Sequence, residues 1–156
     1  MRFTTRMVGP VFYVSVEGKV DDTESACETY GAALRLCWDG GCERMLLDVR
    51  GVEGDPSRFE RYDFASCVAR QNTALLVDEH AAMRVALVGT VPLVDPGRFG
   101  ELVATNRGAR VKVTTDVEEA FRWFGIAPPA DPSGEDDDPR PISPDRSLPA
   151  PPTAAG

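Results

Sequence analysis

The stretch that decides the fold is Met45-Leu-Leu-Asp-Val-Arg-Gly-Val-Glu-Gly-Asp-Pro-Ser-Arg-Phe59. It begins with a nearly continuous apolar run, Met45 to Val49, which is typical of a strand covered on both faces. A charged loop follows. Asp55-Pro56 then predicts a helix start, with Asp as the N-cap and Pro in the first helical position. Phe59 is expected to enter the core one turn later, so a buried strand leads directly into a helix.

Apolar patterns on either side extend this alternation of strands and helices. Before the stretch, two extended segments separated by Gly9-Pro10 predict an antiparallel hairpin. A helical apolar stripe then predicts a helix over residues 21–39, capped by Asp21 and Glu24. Gly31 inside that helix is expected to mark a close approach to the sheet.

The apolar pattern of the helix that begins at Asp55-Pro56 ends near Asn72. Further strand and helix patterns follow it. Apolar runs predict strands over residues 84–89 and 110–114, while cap signatures predict helices from Asp95 and from residue 116. The residues expected to face the core on the four helices are Ala26, Tyr30, Ala33, Leu34 and Cys37; Tyr62, Ala65, Val68 and Ala69; Phe99, Leu102 and Val103; and Val117, Ala120, Phe121 and Phe124. These repeated units predict an α/β fold: a mostly parallel central sheet of about five strands with an N-terminal antiparallel hairpin and four helices.

Composition divides the chain into two parts. It has 156 residues and a formal net charge of −8, and residues 127–156 hold nine of its thirteen prolines and six acidic residues. A segment with so few large apolar side chains cannot offset the entropy cost of ordering. We therefore predict an α/β domain over residues 1–126 and a disordered, acidic Pro/Asp-rich tail over residues 127–156.

Charge and hydropathy narrow the classes of function. The domain keeps a net charge near −4, which argues against general nucleic-acid binding. No apolar run has the length of a membrane span, and the N-terminus lacks a signal pattern. We therefore predict a cytoplasmic protein without membrane insertion. The four cysteines show no C-x-x-C spacing and are expected to be reduced and partly buried; a zinc site or a disulfide is the alternative.

One internal repeat stands out: Gly54-Asp-Pro-Ser-Arg-Phe59 and Val94-Asp-Pro-Gly-Arg-Phe99. Both copies are explained by helix initiation. Parallel strands would also place both at the C-terminal edge of the sheet, where open α/β folds bind ligands. Arg58 and Arg98 would then lie near two helix N-termini and could form an anion or carboxylate site.

The remaining polar residues have simple structural explanations. Asp48 and Arg50 are close enough to pair, or Arg50 is a recognition residue at the surface. Ser57 is expected at the second helical position, where a serine mostly takes part in local capping. His80 is the only histidine, and no nucleophile accompanies it to form a triad. We predict no catalytic residue, no metal and no cofactor.

Three strings and the early hairpin resemble a known family. They are Leu46-Leu-Asp-Val-Arg-Gly51, Arg84-Val-Ala-Leu-Val-Gly89 and Val111-Lys-Val-Thr-Thr-Asp-Val-Glu-Glu-Ala-Phe-Arg-Trp-Phe124. They resemble the STAS-like family, which includes bacterial anti-sigma-factor antagonists and many uncharacterised bacterial proteins. The resemblance spans about Phe3 to Phe124. It implies a STAS-like fold and regulatory binding to a protein partner. In the antagonists, a serine or threonine at the start of the helix after the central strand is phosphorylated, and the nearest position here is Ser57.

We therefore expect a non-enzymatic regulatory or protein-interaction domain that acts through the loop and helix start after the central strand. A protein partner is expected, and a homodimer is left open. The alternative is a small-molecule or lipid-like anion-binding module at the C-terminal edge of the sheet. It predicts a concave, partly apolar pocket with Arg58 or Arg98 at its mouth. The predicted interaction surface consists of Arg50, Glu53, Ser57, Arg58, Arg61 and Arg98.

Overall fold

The computed structural model describes residues 1–75 and 83–130, in which five strands and four helices alternate. This confirms the predicted α/β fold with an antiparallel hairpin followed by parallel strands. The elements are β1 (Arg2–Val8), β2 (Val11–Lys19), α1 (Thr23–Asp39), β3 (Arg44–Glu53), α2 (Arg58–Ala74), β4 (Arg84–Val88), α3 (Phe99–Asn106), β5 (Arg110–Thr114) and α4 (Val117–Trp123).

The five strands form one sheet in the order β1-β2-β3-β4-β5. β1 pairs antiparallel with β2 across a turn at Gly9, whose φ of 56° is a left-handed conformation that glycine adopts without strain. The other pairs are parallel, and the helices α1, α2 and α3 connect them. The ends of β3, β4 and β5 therefore lie together at one edge of the sheet, which we call the strand-end edge.

Helices cover both faces of the sheet. On one face, Phe12, Met45 and Val85 pack in a cluster with Tyr30 of α1 and Val68 of α2. The opposite face packs against α4, whose four predicted core residues, Val117, Ala120, Phe121 and Phe124, are all buried. β3 is thus covered on both sides, as its apolar run predicted.

Two helix starts differ from the prediction by one or two residues. α1 is capped by Asp22, whose carboxylate accepts from Ser25 N–H at 2.6 Å, rather than by Asp21. α2 is capped by Ser57 rather than Asp55. Ser57 Oγ accepts from Glu60 N–H at 3.2 Å, and Ser57 N–H donates to the Glu60 carboxylate at 2.6 Å. This reciprocal capping box starts α2 at Arg58.

The second copy of the repeat begins its helix in a different way. Asp95 accepts from the backbone N–H groups of Gly97 and Phe99 at 3.1 and 3.2 Å, so it caps both the preceding turn and the first amide of the helix. Arg98 then takes a left-handed conformation with φ of 54°, and α3 begins at Phe99. The predicted acceptor role of Asp95 is confirmed, but the predicted first turn of helix is wrong.

Three side chains predicted to face the core are exposed. Phe59 is 83% exposed, Tyr62 40% and Leu102 58%. Because the capping box moves the start of α2 to residue 58, Phe59 falls in the first turn and points to solvent. Gly31 also differs from the prediction, since it approaches α2 rather than the sheet; a Cβ there would collide with the side-chain oxygen of Gln71.

The cysteines divide into a bonded pair and two thiols. Cys27 of α1 and Cys67 of α2 form a disulfide with their Cα atoms 6.3 Å apart. The expectation of reduced cysteines is therefore wrong for this pair, which lies 40 residues apart in sequence and becomes adjacent only when the two helices pack. It is confirmed for Cys37, which is buried, and Cys42, which is half-buried.

No helix among the described residues is both long and apolar enough to cross a membrane. Ile126 packs against the cluster on the α4 side of the sheet. His80, and the predicted tail from residue 131 onward, lie outside the described residues.

Candidate functional site

Arg50 belongs to a polar network on the α4 side of the sheet. Its guanidinium donates to both carboxylate oxygens of Asp48, at 2.9 and 2.7 Å. Asp48 also accepts from the hydroxyl of Tyr13 at 2.6 Å, and Arg6 lies over the Tyr13 ring. The predicted pairing of Asp48 and Arg50 is confirmed. Arg50 thus points away from α2, on the opposite side of the sheet from Ser57.

Protonation in this network favours the ion pair. Burial would raise the pKa of Asp48, but hydrogen bonds from Arg50 and Tyr13 outweigh it and hold that pKa below its usual value. Burial, followed by the hydrogen bond to Asp48, raises the pKa of Tyr13 to about 12. Tyr13 is therefore a neutral donor and Asp48 an ionised acceptor at neutral pH, which makes this a structural network.

Arg61 joins α2 to the loop that follows β4. Its side chain is only 17% exposed. It donates to the backbone carbonyl of Leu93 at 2.7 Å and to that of Pro56 at 3.1 Å, and it also reaches the carbonyl of Pro92. The carboxylate of Asp55 lies 3.9 Å from the Arg61 guanidinium. Arg61 therefore holds two loops of the strand-end edge together.

The other predicted surface residues lie around this junction. Arg58 places its guanidinium 4.7 Å from the centre of the Phe99 ring. Arg98 reaches Glu119 of α4 at 3.5 Å. Glu53 is exposed at the end of β3, where its carbonyl accepts from Val20 N–H. The structure thus brings Ser57, Arg58 and Arg61 together, with Arg98 on the neighbouring loop.

Beneath the strand-end edge lies a cavity of about 230 Å³ between the sheet and the helices α1, α2 and α3. We call it the edge cavity. Its walls are mostly apolar. Leu47, Val85, Leu87 and Val111 contribute from the sheet, while Tyr30, Phe64 and Ala65 are among the residues that the helices contribute.

The mouth of the edge cavity carries charges of both signs. Asp55, Glu60, Asp95, Arg61 and Arg98 lie there. Backbone hydrogen bonds lower the pKa of Glu60 and that of Asp95, so both carboxylates are ionised at neutral pH. The concave apolar pocket that the alternative prediction required is present, with Arg98 among its lining residues. Arg61 and Arg98 already make contacts within the domain, to the carbonyl of Leu93 and to Glu119 respectively.

Small residues make room for the edge cavity where α2 faces α3. Ala65, Gly100 and Ala104 all line it. A Cβ added at Gly100 would meet nothing closer than the Cβ of Ala65, at 4.0 Å. These residues lie in two helices some 35 positions apart, so periodicity within one helix does not reveal their meeting.

Arginine and aromatic side chains at the start of α2 and at the two ends of α3 form a second feature, which we call the aromatic edge: Arg58, Phe59, Tyr62, Phe99 and Arg107. Arg107 lies 4.9 Å from the centre of the Tyr62 ring and donates to its hydroxyl at 2.6 Å. Together with the contact of Arg58 and Phe99, this makes two arginine–aromatic pairs between α2 and α3. Tyrosine and arginine are among the side chains most enriched at the energetic centres of protein interfaces, and phenylalanine is enriched at interfaces in general.

No cluster of three or more His, Cys, Asp or Glu side chains suited to a metal ion occurs within residues 1–75 and 83–130. The chain matches no protein-family model and no curated protein sequence. Function therefore has to be inferred from the chemistry of the edge cavity and of the surface around it.

Proposed function

We propose that the domain binds a small, largely apolar molecule in the edge cavity. The observation that carries this proposal is a volume of about 230 Å³ inside an otherwise packed core. Protein interiors have few voids larger than a water molecule, and apolar cavities of about 150 Å³ stay dry and bind benzene. By that scale, the edge cavity holds a ligand of about nine non-hydrogen atoms.

The unpaired apolar lining of the edge cavity also supports the proposal. Its side chains have no protein partner on the cavity side, and a bound apolar ligand would supply the missing van der Waals contacts.

The apolar part of the ligand supplies most of the affinity in this proposal. The mouth offers Arg61 and Arg98 to an acidic head group, but it also places Asp55, Glu60 and Asp95 beside them. About nine atoms at roughly 0.5–0.8 kcal/mol each give a Kd between about 0.5 mM and 5 µM. We expect 1-octanol to bind at least as tightly as octanoate, because these opposing charges leave little net attraction for a carboxylate.

The test is a methyl NMR titration of the full chain with 1-octanol, octanoate and octylamine. Shifts should concentrate on Leu47 and Leu87, which line the edge cavity. Leu46 and Val88 are the matched controls, since they belong to the same strands but pack on the α4 side. Equal shifts on both sides of the sheet, or no saturable shifts with any of the three probes, would refute ligand binding at this place.

A second candidate function is protein interaction through the aromatic edge. It is favoured by Phe59, which is 83% exposed at the helix start that the STAS-like resemblance assigns to partner binding. The fitting partner is a protein with an apolar recess for Phe59 and carboxylates for Arg58 and Arg107. Phe59→Ser should remove that partner from a pull-down without unfolding the domain. Met7→Ser is the control, because Met7 is also exposed, at 52%, but lies on β1. Identical partner lists for the two variants and the wild type would remove this candidate.

Under this second function, phosphorylation of Ser57 would be the switch. The hydroxyl that accepts from Glu60 N–H would carry the phosphate, which would also come close to the Glu60 carboxylate. The modification would therefore open the capping box and change the start of α2. Phosphopeptide mass spectrometry of the endogenous protein tests the switch; complete peptide coverage without modified Ser57 would end it.

A further inference from the structure

The helices α1 and α2 cover the edge cavity, and the disulfide joins these two helices. Ala26 and Val68 line the edge cavity. Their immediate neighbours in sequence, Cys27 and Cys67, form the cross-link on the outer side of the same helices. The bond therefore fixes the distance between the two elements that roof the ligand site.

The side-chain hydrogen bonds between α1 and α2 lie farther along α2 than Cys67. The Tyr30 hydroxyl donates to Asn72 Oδ1 at 2.5 Å, and Gln71 Nε2 donates to the carbonyl of Cys27 at 3.1 Å. On the mouth side of Cys67, the two helices meet through the edge-on packing of the Tyr30 and Phe64 rings, whose centres are 6.1 Å apart. The start of α2, where Glu60 and Arg61 lie at the mouth, is on the other side of the cross-link along the helix.

We propose that Cys27 and Cys67 form a thiol–disulfide switch that controls the edge cavity. In the cross-linked form, α1 and α2 are held together and a bound ligand exchanges slowly. In the dithiol form, the mouth-side parts of the helices separate more readily and the ligand exchanges fast. This inference rests on the proposed ligand-binding function and adds its regulation.

The surroundings of the pair define the chemical step. Both cysteines line an outer groove between the helices, where Cys27 is half-buried and Cys67 is buried. A low-molecular-weight thiol, as its thiolate, therefore attacks Cys27 Sγ. The disulfide bond breaks and Cys67 leaves as a thiolate, which Gln71 Nε2 faces at 3.2 Å, before taking up a proton. A second thiol displaces the first from Cys27. The protein gains two thiols and two electrons, and the small thiols leave as their own disulfide.

The two other cysteines do not compete in this exchange. Burial raises the pKa of Cys37 and that of Cys42, so both stay protonated at neutral pH. A protonated thiol is a poor nucleophile. The exchange is thus confined to Cys27 and Cys67.

The experiment compares ligand exchange in the oxidised and the reduced full chain, with 1-octanol as the probe and NMR line shapes as the readout. Alkylation of the unfolded protein with mass detection first fixes the redox state: two labelled cysteines in the oxidised form and four in the reduced form. Reduction should speed probe release by about tenfold, equal to about 1.4 kcal/mol in the barrier. Cys27→Ser should release the probe fast in both conditions. Cys42→Ser, which leaves the pair intact, should behave as wild type.

The outcomes separate the two proposals. Equal release rates in both redox states would overturn the switch while the ligand-binding function stands. Labelling of all four cysteines after oxidation would overturn the switch as well. No binding of the probe in either state, with the expected labelling, would overturn the ligand-binding function and the switch with it.

Discussion

Filling the edge cavity with a larger side chain should stabilise the domain and prevent ligand binding. Ala65 and Ala69 lie one turn apart on α2 and are both almost fully buried. Only Ala65 is among the residues that line the edge cavity. Both alanines pack in the cluster between α2 and α3, but only a leucine at residue 65 can extend into free volume.

The magnitude follows from the volume that the new side chain occupies. Burying the three added carbons stabilises the folded state by about 2.4 kcal/mol, at roughly 0.8 kcal/mol for each carbon. Ordering a leucine side chain costs about 0.5–1 kcal/mol. Ala65→Leu should therefore raise the free energy of unfolding by about 1–2 kcal/mol and the Tm by about 4–8 °C. Ala69→Leu should lower the free energy of unfolding by about 1–3 kcal/mol, since overpacking forces side chains from their preferred rotamers.

Urea denaturation and the methyl NMR titration together check this pair of variants. Ala65→Leu should also lose saturable binding of 1-octanol, while Ala69→Leu should keep it. Equal destabilisation by the two variants would mean that the space beside Ala65 is already filled. A stabilised Ala65→Leu that still binds the probe would place the binding elsewhere.

Two further variants test the surroundings of the site. Asp48→Asn should lower the free energy of unfolding by about 2 kcal/mol at pH 7, because it removes the charge that Arg50 and Tyr13 bond. The pKa of Asp48 in the folded state lies below its unfolded value of about 3.9. The wild type is therefore more stable than Asp48→Asn above that pH, and this difference in the free energy of unfolding disappears as the pH falls through the folded pKa. Urea denaturation at a series of pH values measures it. Ser57→Ala should cost about 1 kcal/mol through the lost helix cap, whereas Ser57→Asp should keep most of the stability. Thermal unfolding distinguishes the two Ser57 variants.

The order of elements could be predicted from the sequence because each strand and helix carries its own local signal. The repeat shows where local signals conflict. The copies at residues 54–59 and 94–99 share Asp-Pro but differ at their fourth residue, Ser57 against Gly97. Ser57, with Glu60 three residues later, forms a capping box and starts α2 at residue 58. Gly97 has no side chain, so Asp95 accepts from its N–H instead. The Ser57-x-x-Glu60 signature alone predicts a helix that begins at residue 58, with Phe59 in its first turn at the surface.

The edge cavity and the disulfide depend on residues far apart in the chain. Cys27 and Cys67 are separated by 40 positions, and each alone reads as a buried apolar residue of a helix. Ala65 and Gly100 likewise meet only because α2 and α3 pack together. Their small size is visible in the sequence, but the volume they leave free depends on where the sheet lies beneath them.

The cross-link and the edge cavity are connected through stability. Closing a loop of 40 residues with a disulfide stabilises the folded chain by about 4 kcal/mol in the chain-entropy model. The reduced protein lacks that contribution, whereas a ligand present at 100 times its Kd would stabilise the folded state by about 2.7 kcal/mol. Reduction should then make folding more dependent on ligand while it makes the ligand easier to exchange, which are the two properties required of a redox-controlled binding domain.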